Sequence, residues 1–326
     1  MSDDPAVALF HRVREVVEGD ASLTLDEVAE RAQVPTQVLR EVFAAMDWDD
    51  RPGYDDRDVA YADALRHILD LYPLDVVVRN IRTRYRAMTS IVVSDLGTVR
   101  DRVIAPALEA GADATDLADR LGETARDLLP LITGQLAEDY RHILVGLLDS
   151  DAVTQGAQLQ AREVDLAVGF VDLVGFTKLS RDIDPAGLDR LLGRFEELVT
   201  EAVGRIDDTR LAKFVGDAAM VVGPDPVKVT RVLLHLVDDR QQLTETPRHA
   251  GLAFGRVLVR EGDFYGQVPN LASRLTDHAK RWSLLVAADL ADHLERDFEL
   301  SSVPPTRLHG LGEHRPHRVR TRTSED

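Results

Sequence analysis

The chain has 326 residues, enough for two domains of ordinary size that each bury a core, and its lack of cysteine excludes disulfides, thiol nucleophiles and cysteine-based zinc sites. A formal net charge of -18 opposes binding to nucleic acid or anionic membrane at ordinary salt, and no apolar run near 18 residues is free of charge. The first residues, MSDDPAVALFHRVREVVEGD, are acidic where a signal peptide is basic and then apolar, so a soluble cytoplasmic protein with no membrane insertion is expected.

Residues 1–148 predict an all-α domain. Apolar residues recur at spacings of three and four in VALFHRVREVV, LDEVAERAQVPTQVLREVFAAMDW, ADALRHILDLY and DLADRLGETARDLLPLITGQLAEDYRHILVGLL. This half is the more acidic one: residues 1–150 carry 29 acidic and 16 basic side chains, net -13, against 28 and 23, net -5, in the remainder. The stretch LTLDEVAERAQVPTQVLREVFAAMDW has the pattern of a helix-turn-helix, with a Thr24 cap and a turn at Gln33–Pro35. Residues 21–50, however, hold seven acids and two arginines, which would repel phosphate; a helical hairpin inside a bundle suits that balance better, and nucleic acid is not an expected partner. The polar run DSDAVTQGAQLQARE, residues 149–163, reads as a linker or linking helix.

From Val164 the texture changes to short β-rich runs alternating with helical ones, an α/β or α+β domain over 164–326. Within it, VGFVDLVGFTKLS sets Asp172 among apolar residues that otherwise predict a buried strand. A carboxylate there needs a cation, a donor cluster or a metal beside it. LAKFVGDAAMVV places a second acid, Asp217, at a Gly-Asp turn between two β-like runs. If these strands are neighbours the two acids converge, and with a backbone carbonyl such as that of Leu173 they form a hard-oxygen site suited to Mg²⁺ or Mn²⁺. The alternative is that each acid accepts hydrogen bonds from turn amides. Gly175-Phe176-Thr177 follows at a strand-to-helix turn, where exposed N–H groups can receive phosphate. In EGDFYGQVPNLASRL come Asp263, Asn270 and Arg274; if Asn270 opens a helix, the spacing of four puts Asn270 and Arg274 on one face, and a simple Asn cap with a surface Arg is the competing reading.

Taken together, FVDLVGFT, KFVGD and GDFYGQVPNLASR resemble, in order, three signature segments of class III nucleotide cyclases, and the resemblance covers about residues 164–320. It implies an α+β catalytic domain with a ferredoxin-like βαββαβ core, acting as a head-to-tail homodimer. Asp172 and Asp217, with Leu173, are the implied ligands of two Mg²⁺ or Mn²⁺ ions; Phe176 and Thr177 meet phosphate; Asn270 orients ribose and Arg274 neutralises charge in the transition state. Lys213 and Asp263 take the base-reading positions, a donor and an acceptor that match adenine, so ATP is the implied substrate. Pro269 departs from the small or apolar residue usual before the asparagine. His309, in RLHGLGEHRPHRV, replaces the lysine that commonly begins the final strand pair.

A helical domain ahead of such a catalytic domain resembles the bacterial pH-regulated adenylate cyclases, which implies an autoinhibitory, dimerising regulatory domain at 1–148. His11, His67, His142, His309, His314 and His317 are the histidines to consider as sensors, with interdomain carboxylates as the alternative. Two other functions compete. A guanylate cyclase is opposed by Lys213 and Asp263, and a catalytically degenerate nucleotide-binding regulatory module is opposed by the complete six-residue set.

Overall fold

A computed structural model describes Arg14, Val17 and residues 21–48, 51–149, 163–238 and 246–322. The chain divides into two compact units, residues 1–142 and 143–326. The expected linker, apart from its two end residues, and His11 lie outside the described residues.

In the first unit, α1 (Leu25–Ala32) begins where Thr24 and Glu27 cap one another's backbone amides, and it ends at Gln33 in a left-handed conformation (φ 56°). Pro35 then leads into α2 (Thr36–Ala44). This is the hairpin read from the sequence, closed by α3 (Asp56–Leu69), which Asp55 caps in the same reciprocal way. Its core gathers Val28, Leu39, Val42, Phe43, Leu65 and Ile81, with Trp48, Tyr54 and Tyr61 ringed around Phe43. Two long helices follow. α4 (Leu74–Val99) continues through a π turn, Arg100–Ile104, into α5 (Ala105–Glu109), and α6 spans Ala114–Asp149 with Pro130 inside it. Between them they leave many large apolar side chains exposed, among them Val92, Val93, Leu96, Leu128, Leu131 and Ile143.

The second unit is built on an eight-stranded sheet with order β2-β3-β1-β4-β6-β10-β7, β5 pairing with β4. Its strands are β1 (Glu163–Leu173), β2 (Arg210–Val215), β3 (Ala218–Gly223), β4 (Arg248–Arg260), β5 (Asp263–Tyr265), β6 (Ser283–Val286), β7 (Phe298–Ser302) and β10 (His317–Thr321). The pairs β2–β3, β3–β1 and β1–β4 are all antiparallel. Two helices, α7 (Phe176–Asp182) and α8 (Pro185–Gly204), join β1 to β2, and α9 (Pro226–Val237) joins β3 to β4. That order and connectivity are the ferredoxin-like βαββαβ arrangement, extended on one edge. The segment expected as a final strand pair forms a separate ribbon of β8 (Thr306–Leu308) and β9 (Gly312–His314), while β10 enters the main sheet between β6 and β7.

Helices cover both faces. On one, Phe195, Leu198 and Val199 of α8 and Val229, Val232, Leu233 and Leu236 of α9 pack on Ala167, Val171 and Leu173. On the other, Ala272 and Leu275 of α10 (Gln267–His278) pack on Val168, Met220, Ala253 and Val257. β1 is buried from both sides, which is why its apolar run is nearly continuous. α10 lies so close to β4 that a Cβ at Gly251 would stand 2.4 Å from the Ala272 carbonyl oxygen and from the Thr276 nitrogen. Backbone cannot swing aside as a side chain can. Gly251→Ala is therefore expected to cost about 3 kcal/mol, read as a lowered unfolding midpoint in urea, and an unchanged midpoint would contradict the close approach.

Candidate active site

Asp172 is the penultimate residue of β1, not its middle, and its side chain is 28% exposed, so it is half-buried where full burial was expected. Alternation with Val168 and Phe170 turns it toward the α10 face of the sheet. One carboxylate oxygen, Oδ1, accepts the Leu173 N–H at 2.8 Å, and Oδ2 lies 3.5 Å from Nε2 of His249. The two residues are direct partners in the β1–β4 register.

Asp217 sits in the two-residue turn between β2 and β3, beside Gly216 (φ 63°), whose positive φ suits the first turn position of a tight hairpin. Ala218 is the register partner of Asp172, so the neighbouring Asp217 reaches the same place. Its pKa is pushed up to about 6, first by burial, then by the charge of Asp172 and a hydrogen bond with it. Two half-buried carboxylates that repel one another fit a hard divalent cation. Among the described residues no group of three or more His, Asp or Glu side chains forms a complete metal cage. An ion here would be held by these two acids, a backbone carbonyl such as that of Leu173, and ligands it brings with it.

The raised Asp217 pKa has a thermodynamic sign. Its contribution to stability is intact below the unfolded value near 3.8 and is lost as pH rises through about 6. A cation that binds the ionised pair offsets that loss. Mn²⁺ is expected to raise the melting temperature of the full chain by several degrees at about pH 7.5 and by much less at about pH 5. Equal shifts at the two pH values in scanning fluorimetry would contradict a carboxylate-held site.

The second cluster joins β2 to β5. Nζ of Lys213 lies 2.6 Å from both carboxylate oxygens of Asp263, fifty positions away, and Asp263 Oδ1 also takes the Phe264 N–H at 2.8 Å. Burial pulls the Asp263 pKa up, but the Lys213 and Phe264 hydrogen bonds outweigh it and hold the carboxyl below its ordinary value. The pair is part-exposed, with 42% and 33% of the two side chains accessible, so it is reachable by a ligand.

α10 carries the third group. Asn270 is the fourth residue of the helix, which starts at Gln267, and so does not open it. Pro269 is buried at the third helical position, where its missing N–H falls among amides that have no intrahelical partner, and no distortion follows. Asn270 and Arg274 are both exposed, one turn apart, and Arg274 Nη1 pairs with Asp277 at 3.1 Å. Gly175, at φ 80°, precedes α7; Phe176 packs its ring against the core, leaving its N–H and the exposed Thr177 at the helix start. No hydrogen bond or ion pair directly joins Asp172 or Asp217 to Asn270 or Arg274 among the described residues. A cavity of about 630 Å³ between α9, β6 and β10 contains none of these candidates.

No family model matches the chain. An uncharacterised protein of Mycobacterium tuberculosis is 42% identical over 149 residues, 45% of this chain and 39% of that protein. A pH-sensitive adenylate cyclase of Mycobacterium tuberculosis is 30% identical over 258 residues, 76% of this chain and 63% of that protein. An adenylate cyclase of Glutamicibacter nicotianae is 26% identical over 331 aligned positions, 94% of this chain and 80% of that protein. The chain is similar in sequence to bacterial adenylate cyclases. It spans 39% of the length of the uncharacterised relative, and its similarity to the two named cyclases takes in the helical unit as well as the sheet domain.

One residue beside the two acids carries no signal in the sequence. His249 faces Asp172, yet nothing in RHAGLAFG links it to a position 77 residues earlier; only pairing of β1 with β4 does. Asp277, the partner of Arg274, was equally silent, although its spacing of three on a helix was a signal that could have found it. Among the histidines considered as sensors, Nδ1 of His67 lies 2.8 Å from the Asp63 carbonyl oxygen and Nε2 of His314 lies 3.1 Å from that of Leu311. His142 lies beside Arg141, His309 is exposed after β8, and His317 is paired within the sheet. No helix among the described residues is long and apolar enough to cross a membrane.

Proposed function

We propose that the chain is a class III adenylate cyclase that converts ATP to 3′,5′-cyclic AMP and pyrophosphate in the cytoplasm, as a homodimer with two shared sites. The observation that carries this reading is the Lys213–Asp263 contact: a paired donor and acceptor, part-exposed, on the same domain as the converging acids Asp172 and Asp217. The relatives named adenylate cyclase support it.

Each residue then has a task that its chemistry fits. Asp172, Asp217 and the Leu173 carbonyl would hold two Mg²⁺ or Mn²⁺ ions, whose charge would lower the pKa of the ribose 3′-hydroxyl and neutralise the triphosphate. The N–H groups of Phe176 and Thr177 at the start of α7 meet phosphate oxygens. Lys213 donates to the acceptor N1 of adenine and Asp263 accepts from its 6-amino group; guanine presents the reverse pattern and would leave both residues unmatched. Asn270 orients the ribose for in-line attack on the α-phosphorus, and Arg274 neutralises charge developing there or on the leaving pyrophosphate. In a head-to-tail homodimer, the arrangement that the class III resemblance implies, each site takes its acids from one copy and its α10 from the other.

Residues 1–148 serve as the dimerising and autoinhibitory domain. The apolar side chains left exposed along α4 and α6 are the kind of surface that a second copy covers. pH regulation is carried by the name of one relative, which aligns with 76% of this chain. The test is cyclic AMP formation from ATP with Mg²⁺ or Mn²⁺ by the full chain and by residues 160–326, between about pH 5.5 and 8. Product whose pH profile differs between the two supports both the enzyme and its regulation. Nucleotide binding without product from either protein would favour a degenerate binding module.

A further inference from the structure

We propose that His249 is a positioning residue that fixes the orientation of the Asp172 carboxylate, a role that rests on reading Asp172 and Asp217 as metal ligands. The imidazole is held at both ends. Nδ1 lies 2.9 Å from the carbonyl oxygen of Ala279, which can only accept, so this nitrogen carries a proton and donates. The opposite nitrogen, Nε2, lies 3.5 Å from Oδ2 of Asp172, an ion-pair contact that the ring makes as an imidazolium with a proton on each nitrogen, while the Leu173 N–H occupies Oδ1 from the other side. Each carboxylate oxygen thus has one fixed neighbour and retains lone pairs for a cation. Rotation about the Cβ–Cγ bond of Asp172 would break both contacts.

The anchor of the ring matters as much as its contact. Ala279 is the cap that follows the last residue of α10, and α10 is the helix that carries Asn270 and Arg274. The charge of Asp277, the partner of Arg274, also acts on the ring. His249 therefore sets Asp172 in register with the end of the helix that carries the proposed ribose and phosphate residues. Its side chain is only 13% exposed, and an aliphatic residue would fill the space without either polar contact. Partners that orient a ligating side chain through a hydrogen bond contribute about 10- to 100-fold in metal affinity when tested by removal.

The experiment is Mn²⁺ binding to the full chain, measured by electron paramagnetic resonance of free Mn²⁺ in the presence of α,β-methylene-ATP, with the metal-free melting temperature recorded alongside. His249→Phe keeps a ring and loses both contacts; His249→Gln restores a donor to Asp172. The expected result is Mn²⁺ affinity at least about tenfold weaker in His249→Phe at a near wild-type melting temperature, with most of it regained in His249→Gln. If His249→Phe does not melt cooperatively, His249→Ala is read in its place. Wild-type affinity in the folded deletion variant, with binding still abolished by Asp172→Asn, overturns the proposal. Equal affinity of the wild type and Asp172→Asn would instead remove the metal-site reading on which it rests.

Discussion

Asp172→Asn lowers cyclic AMP formation by about 100- to 1,000-fold and leaves the fold intact, on the account given above. Asparagine has nearly the same shape and keeps an oxygen to accept the Leu173 N–H at the Oδ1 position. What it removes is the charge that balances a divalent cation. The effect falls mainly on kcat, because adenine recognition by Lys213 and Asp263 sits on β2 and β5 and is untouched, while the lost neutralisation of the triphosphate raises KM to a smaller extent. Stability moves the other way: the like-charge contact that adds to burial in raising the Asp217 pKa disappears, so the metal-free melting temperature at neutral pH rises or holds. A variant with wild-type turnover, or one whose lost activity tracks a lost fold, would remove Asp172 from the chemistry.

The second large effect is on the choice of base. Lys213 and Asp263 are matched to one another in the resting protein, with both carboxylate oxygens 2.6 Å from the ammonium group. Exchanging donor for acceptor reverses what the pair can read. In Lys213→Glu/Asp263→Ser, an acceptor faces the guanine N1–H and a hydroxyl donor faces O6. The ratio of kcat/KM for ATP to that for GTP is expected to fall by at least about 100-fold, since unmatched buried polar groups carry penalties of that order. Lys213→Glu alone should be poor with both nucleotides, because it sets two carboxylates against each other where an ion pair stood. An unchanged ratio in the double variant would mean that the base is read elsewhere.

Much of this was legible in the sequence because local chemistry and periodicity agree. The Thr24 cap and the Gln33–Pro35 turn mark the helical hairpin by residue type alone, and the structure adds the reciprocal Glu27 contact and the left-handed Gln33. Gly216-Asp217 between two β runs was enough to place a hairpin tip. Less was visible where tertiary pairing decides. The segment from Leu74 to Val99, rich in β-branched residues, falls in the region expected to be all-α although no periodic run was singled out in it, and it is a helix of 26 residues. β10 could not be assigned to the main sheet from RVRT, because its partners β6 and β7 lie at other points of the chain. Asp172 was read as a mid-strand acid because apolar residues continue to Leu173 and Val174; its true place near the strand end depends on where β1 stops pairing. His249 shows the same limit from the other side, since a register between strands has no trace in either segment.

The central claim is a cyclase whose two sites are each shared between copies, and one measurement addresses it directly. Full-length Asp172→Asn and Arg274→Ala proteins, each inactive by itself, are unfolded together, refolded as an equimolar mixture and assayed for cyclic AMP from ATP with Mn²⁺. Half of the dimers are then mixed, and each mixed dimer has one intact site of two, so about a quarter of wild-type activity is expected. A mixture as inactive as its components, with mixed dimers shown to have formed, would contradict the account.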